Sequence, residues 1–387
     1  MRGLAIVGVV SLHSSIWGDV PSLLPGGALG VTVFFVLSGF LITTLLLAEH
    51  ARDGRIDLRA FYFRRAARLL PALLVLLPVY VIVFARQLSL DQLLLTVGAT
   101  LLYLSSFIQS IWGAMGNLGW TWSLSVEEHF YVLWPPVLRW LLGGEADRGT
   151  GVRGRLRRRP LLTASVLALG IVAASVALRA ILGGSFRGRE FAYYATPTRI
   201  DALAVGCLVA IFAHQCRPRL PAVLGWAALA AIGWCYLNPS FAIGGEALNL
   251  WGLPVCTVSA AVLILSATSR PDGLLSRALS WRPLVHLGTI SYGLYLWNLL
   301  PGQTFHLLAG RHPGALGTIG CAVIILIVVE LSYWGVERPF LRWAKRRMAS
   351  GPRPPADRAA RTAQPTLARH GRDGSLSASF RRRATAS

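Results

Sequence analysis

Charge is scarce in this chain: of 387 residues only 14% are charged, 17 are acidic, and Lys345 is the single lysine. Cysteine is scarcer. The five present (Cys207, Cys216, Cys235, Cys256, Cys321) are odd in number and show no C-x-x-C spacing, which argues against a disulfide framework or a zinc site. Lying in or beside apolar runs, they read as small packing residues. Signatures of soluble acyl-transfer and hydrolytic chemistry are missing as well. There is no G-x-S-x-G elbow, no histidine followed five positions later by aspartate, and no His/Cys metal spacing. No internal repeat of the inverted-transporter kind is visible.

What the chain has instead is apolar sequence. Hydrophobic residues make up 54% and the mean hydropathy is +0.54. Length alone would suggest two or three soluble domains, but the apolar residues come in membrane-sized blocks. These run at roughly 3–17, 28–48, 69–85, 91–108, 124–142, 161–182, 199–213, 221–237, 251–268, 284–301 and 315–335. In lipid the backbone must satisfy its own hydrogen bonds, so each block is expected to be helical. The fold class is all-α, a polytopic transmembrane helix bundle. Residues 1–17 have the look of a signal peptide, yet no small-x-small cleavage site follows and a second block begins at once. The first helix is therefore expected to be retained.

A net charge of +21 would point to nucleic acid in a soluble protein. Here the arginines cluster between the blocks and in the last fifty residues, the positive-inside pattern, so no nucleic-acid partner is expected. Residues 52–68 carry six (Arg52, Arg55, Arg59, Arg64, Arg65, Arg68), and 148–159 carry six more (Arg148, Arg153, Arg155, Arg157, Arg158, Arg159). Both loops should be cytoplasmic. Between them the chain must cross an even number of times, yet three blocks lie there. One of 91–108 and 124–142, or the link IWGAMGNLGWTW, should then fail to span, as is tolerated where irregular backbone lines a cavity. The expected topology is about ten spans, with both termini cytoplasmic and the nearly uncharged 238–250 outside. Loop 183–198, with Arg187 and Arg189, fits less well. The domain division is a membrane domain over 1–345 and a basic, disordered cytoplasmic tail over 346–387 that can touch anionic lipid.

The few polar residues inside the blocks carry the functional signal. Arg2 and His13 are eleven residues apart, almost three helical turns, so they share a face and stand about 16 Å apart along the axis. With the N-terminus inside, Arg2 lies at the surface and His13 near mid-membrane. Lipid burial keeps an imidazole neutral, as a general base should be. In WSLSVEEHFYVLWP, Glu127 and Glu128 are adjacent and cannot share a helix face. Glu127 falls in line with Tyr131 and Trp134, while Glu128 reads as a membrane-surface acid. In FYFRRAARLLP, Arg65 and Arg68 at i and i+3 can grip a phosphate-bearing ligand, although topology alone would also explain arginines there. Ser38, Ser291 and Tyr295 read as hydrogen bonds between helices, and TPTRIDALAVG adds two more polar residues to an apolar block, Arg199 and Asp201.

In order and wording these stretches resemble the acyltransferase-3 family of integral membrane acyltransferases. The resemblance covers residues 1–345 and rests on RGLA…H, FFVLSGFLIT, FYFRRAARLLP, WSLSVEEHFYVLWP, RIDAL, ISYGLYLW and VERPF. It implies a ten-helix bundle in the cell membrane with no permanently bound cofactor and no metal. Such a bundle takes an acyl group, acetyl for preference, from cytoplasmic acyl-CoA. The acceptor would be a hydroxyl of a carbohydrate, a glycolipid or a glycosylated natural product. Carried over by position, the family's Arg-x10-His element falls on Arg2 and His13, its Arg-x-x-Arg on Arg65 and Arg68, and its acidic element on Glu127. The resemblance thus implies catalytic roles for His13 and Glu127, Glu127 orienting the imidazole, and donor-phosphate contacts for Arg2, Arg65 and Arg68. His13 would serve as base or as transient acyl carrier. Two features depart from the family. It usually carries several residues before the arginine found here at position 2, so the start is expected to lie upstream. YLW is often followed by His, where this chain has Asn298. No esterase-like domain of the kind fused to some relatives follows, so this chain is expected to perform the whole transfer.

Two readings compete. A proton-coupled transporter or flippase of a sugar-containing substrate would use His13 and Glu127 as a proton relay. A membrane scaffold would use them only to pack helices.

Overall fold

The computed structural model describes residues 1–18, 21–143, 156, 158–243, 245 and 247–349. Most of the arginine-rich loop 148–159 and the tail beyond 349 lie outside the described residues. The chain divides into two units, Met1–Ala344 and Lys345–Ser387. Everything below concerns the first, apart from the end of its last helix.

Among the described residues there are helices and no strand. Helix α1 (Arg2–Gly18) precedes a 3-10 turn at Gly27–Leu29 that enters α2 (Gly30–Asp53). Gly54, at φ +67°, ends α2, its amide donating to the His50 carbonyl at 2.8 Å. Asp57 then caps α3 (Leu58–Phe84) by accepting from the Ala60 amide at 3.0 Å. This tight stop and start sets Arg65 and Arg68 on the early turns of α3, facing the bundle.

The block 91–108 is not one helix. A Ser89/Gln92 capping box starts α4 (Leu90–Leu101), which breaks at Tyr103, held at φ +56°, before α5 (Ser105–Trp112). Twelve residues make about 18 Å, well short of an about 30 Å hydrocarbon layer. A 3-10 turn over Gly116–Thr121 then enters α6 (Trp122–Leu142), which carries both glutamates. There follow α7 (Pro160–Leu182), α8 (Phe186–Tyr194), α9 (Thr196–Cys216), α10 (Ala222–Leu237) and α11 (Leu253–Ser269). After α12 (Leu274–Leu279), the block 284–301 also breaks, into α13 (Arg282–Thr289), α14 (Ser291–Trp297) and α15 (Leu300–Ala309). Pro301, which lacks an amide proton, sits in the first turn of α15 and cannot continue α14 across the gap. Helix α16 (Gly314–Ser332) passes through a π turn at Tyr333–Glu337 into α17 (Arg338–Ala349).

Among the described residues, six helices are long and apolar enough to cross a membrane: Gly27–Asp53, Leu58–Phe84, Pro160–Leu182, Thr196–Cys216, Leu248–Ser269 and Gly314–Met348. The expected ten would need crossings from elements that are short (α1, α10), charged (α6) or interrupted (α13 to α15). That is where the polar residues of interest sit, so the same features that mark a site weaken the span signal.

The core is built on the crossing of α2 and α9, where backbones touch. A Cβ on Gly39 would lie 2.0 Å from the Leu203 carbonyl oxygen, and one on Gly206 would lie 2.2 Å from that of Val36. Gly39→Ala should therefore destabilise the bundle by about 1–3 kcal/mol through overpacking. Gly98→Ala, where a Cβ meets nothing within 4 Å, should be tolerated. Thermal unfolding of the two detergent-solubilised variants checks this, and equal midpoints would refute the tight crossing.

Candidate active site

Helix α1 presents Ala5, Ile6, Val9 and Leu12 to the core, and His13 follows at the edge of that face, half-buried. Its Nδ1 lies 2.5 Å from Oδ1 of Asn298. Asn298 stands in the gap between α14 and α15, and its Nδ2 donates to the Tyr295 carbonyl at 2.6 Å, satisfying a group that the broken helix leaves open. That second bond orients the amide. Its oxygen must be the atom turned to the ring, so Nδ1 carries the proton and the lone pair of the neutral imidazole is on Nε2.

The glutamates behave differently from the sequence expectation. Glu127 does not orient His13. Its Oε1 accepts from Ser38 at 3.0 Å, and its Oε2 accepts from Arg65 Nη2 at 3.2 Å and from Tyr131 at 3.1 Å. Nor is Glu128 a membrane-surface acid. Its side chain is 16% exposed, and it accepts from Arg65 Nε at 2.9 Å. Adjacent helical residues diverge, but one guanidinium fork reaches both carboxylates from α3 while stacking 3.4 Å over the Tyr131 ring. The i, i+4 alignment of Glu127 with Tyr131 seen in the sequence is a hydrogen bond in the structure.

Arg65, committed to two carboxylates, thus differs from its neighbour. Arg68 and Arg2 line the same cavity, near enough to repel one another, and among the described residues neither has an ion-pair or hydrogen-bond partner. This cavity holds about 620 Å³ of empty space and also takes in Ser38, Glu127 and Tyr295. Its two guanidiniums without an ion-pair partner give this cavity fork-shaped donors of the kind that suit an anion. His13 lines a second cavity, of about 690 Å³, together with Trp120, Trp122, Tyr193 and Tyr194. Only Val31 and Tyr295 are common to both. The Tyr295 hydroxyl donates to the Trp120 carbonyl at 2.7 Å and also bonds Ser123, which holds the ring as a partition between them. Arg2 and His13 therefore share a helix but face different rooms.

Of the remaining polar residues, Ser38 and Tyr295 do bond across helices, whereas Ser291 bonds locally to the Gly288 carbonyl. Asp201 pairs with Arg179 at 2.6 Å rather than with Arg199. Buried Arg199 donates to Thr32 at 3.1 Å and faces the rings of Phe35, Trp122 and Tyr193. Sequence reasoning set Asn298 aside for a catalytic role because a histidine is usual there. The usable signal was an amide side chain three residues before a proline inside an apolar block. It also passed over Trp120 and Trp122, whose signal was aromatic density in a link too irregular to span, and Tyr193 and Tyr194, adjacent aromatics in 183–198.

A family model described as an acyltransferase domain matches residues 1–334. YrhL of Bacillus subtilis strain 168, provisionally named a peptidoglycan O-acetyltransferase, is 32% identical over 88% of this chain and 54% of its own length. The O-acetyltransferase OatA of Staphylococcus aureus is 29% identical over 88% of this chain and 56% of its own. The peptidoglycan O-acetyltransferase OatA of Listeria monocytogenes is 30% identical over 88% and 54%. The chain spans little more than half the length of these curated relatives. No solved structure matches it significantly.

Proposed function

This chain belongs to the acyltransferase-3 family, and on that premise we propose that it is an integral membrane O-acyltransferase, moving an acetyl group from acetyl-CoA to a carbohydrate hydroxyl. The observation that carries the reading is His13, which lines the aromatic cavity with Nδ1 held by Asn298 and Nε2 left as the base, while the adjoining cavity, sharing Val31 and Tyr295 with it, carries Arg2 and Arg68.

In this reading the phosphates of CoA lie against Arg2 and Arg68, and the pantetheine arm passes Val31 and Tyr295 toward His13. The acceptor hydroxyl loses its proton to Nε2 as its oxygen attacks the thioester carbonyl. The C–S bond then breaks, and the sulfur leaves and takes the proton back from the imidazolium as the CoA thiol. Asn298 holds the imidazolium through Nδ1–H. The site supplies the base and the orientation, and needs no resident cofactor. Ten spans, both termini cytoplasmic, a membrane domain over 1–345 and a basic cytoplasmic tail over 346–387 complete the proposal. That topology opens the Arg2 and Arg68 cavity toward cytoplasmic acyl-CoA and locates the protein in the cell membrane. Peptidoglycan, named for the relatives, is the first acceptor to try.

The test is stoichiometric. Proteoliposomes given acetyl-CoA and a peptide-free, uncharged glycan such as N-acetyl-chitotetraose should release one CoA thiol per acetylated sugar. Movement of sugar without thiol release would overturn the proposal in favour of a transporter.

The donor site makes a sharper prediction. Lysine keeps the charge of Arg68 but cannot form its bidentate grip on phosphate. Arg68→Lys should raise the KM for acetyl-CoA about tenfold, leave the acceptor KM unchanged and keep kcat similar at saturating donor. An unchanged donor KM would reassign Arg68 to topology, where lysine and arginine count alike.

A further inference from the structure

The cavity at His13 has a composition of its own. Trp120 and Trp122 come from the 3-10 turn and start of α6, Tyr193 and Tyr194 from the end of α8, and Gln109 from α5. Among the described residues no Asp, Glu, Lys or Arg lines it, whereas the adjoining cavity has three arginines and a glutamate. Its polar atoms are also unspent. The indole N–H groups of Trp120 and Trp122 and the hydroxyls of Tyr193 and Tyr194 make no hydrogen bond to the described residues, and all four residues line the cavity. Gln109 accepts from the Met115 amide through Oε1 at 3.3 Å, which leaves its amide N–H groups free.

The walls are preorganised. Trp122 meets Tyr193 and Tyr194 at ring separations of 5.1 and 5.5 Å, and Trp120 meets Tyr295 edge-on at 5.5 Å. Behind Trp122 and Tyr193, Arg199 holds its guanidinium carbon 5.5 and 5.1 Å from the two ring centres. Rigid aromatic faces with a few convergent donors suit a ligand that is apolar on its flat faces and hydroxylated at its edge. A charged ligand would be desolvated here with no counter-charge to meet it.

We propose that this second cavity is the acceptor subsite and that it is built for an uncharged pyranose ring, stacked on the Trp122, Tyr193 and Tyr194 rings with a hydroxyl presented to His13. The assignment rests on the acyltransferase reading for its role but not for its detection, because binding can be measured without donor or turnover. The full chain in lipid nanodiscs should bind N-acetyl-chitotetraose, an uncharged glycan, with quenching of tryptophan fluorescence. It should bind a hyaluronan tetrasaccharide, whose alternate sugars carry carboxylates, at least tenfold more weakly. Gln109→Leu and Tyr193→Phe, which retain shape and remove only polar atoms, should each weaken chitotetraose binding at least fivefold and leave acetyl-CoA binding unaltered. Absence of chitotetraose binding, equal affinity for the charged glycan, or wild-type affinity in both variants would overturn the proposal. Binding as expected with no acetyl transfer would sink the acyltransferase reading and leave the subsite standing.

Discussion

Replacing His13 with alanine is expected to lower acetyl transfer by at least about 100-fold, the lower end of what a positioned general base contributes, with little change in unfolding temperature. The ring is half-buried and makes a single side-chain hydrogen bond, to Asn298, so its loss leaves one amide oxygen short of a partner in a cavity wall that is not close-packed. A histidine that served only packing would show the reverse, with stability lost and turnover spared. Transfer within severalfold of wild type in the variant would remove His13 from the chemistry. Asn298→Ala should fall between the two. It keeps the base but frees the ring to choose its tautomer, so kcat should drop while the KM for acetyl-CoA stays put. A lowered donor affinity in that variant would assign Asn298 to binding instead.

The second large effect is expected at Arg65, and it concerns stability. Its guanidinium is the link between Glu127 and Glu128, all three side chains being less than a fifth exposed. Removing one partner of a buried ion pair costs about 3–5 kcal/mol, because the remaining charge is left uncompensated. Here two carboxylates would be orphaned together. Arg65→Ala should accumulate poorly and unfold well below the wild-type temperature. Adding Glu127→Gln and Glu128→Gln to the same chain should restore most of the lost stability, since neutral amides need no counter-charge. Arg65→Lys should be intermediate, as one ammonium cannot bridge two diverging carboxylates the way the planar fork does. A stable Arg65→Ala protein whose only defect is donor affinity would return Arg65 to the phosphate site.

That division between Arg65 and Arg68 shows where linear patterning ends. Both arginines follow from FYFRRAARLLP, and their i, i+3 spacing puts them on one side of α3, as the sequence implies. Spacing carries no information about which of them is already paired, and Glu127 and Glu128 approach Arg65 from sixty-odd positions away. The reading of Glu128 as a surface acid failed for the same reason: adjacent residues of α6 diverge, and only the arrival of a second helix, α3, with Arg65 reaching both carboxylates, makes both inward.

The sequence by itself determined the class of fold and the inventory of the site. Apolar blocks long enough to span lipid have no stable state there but helix, and a polar side chain inside one is costly enough to mark itself. His13 and Glu127 stand out as candidates on that ground, whereas Arg2 and Arg68 stand out by their spacing and by the family resemblance. Tertiary structure decided the pairings. His13 meets Asn298, 285 positions away, because α14 breaks and turns an amide into the gap, and a break of that kind depends on neighbours able to satisfy the freed backbone groups. The separation of one polar interior into an arginine cavity and an aromatic cavity, with Tyr295 between them, likewise exists only once α1, α3, α6 and α14 have packed. Helix formation follows from each segment's own residues and the solvent around it, whereas a cavity is the space several segments jointly fail to fill.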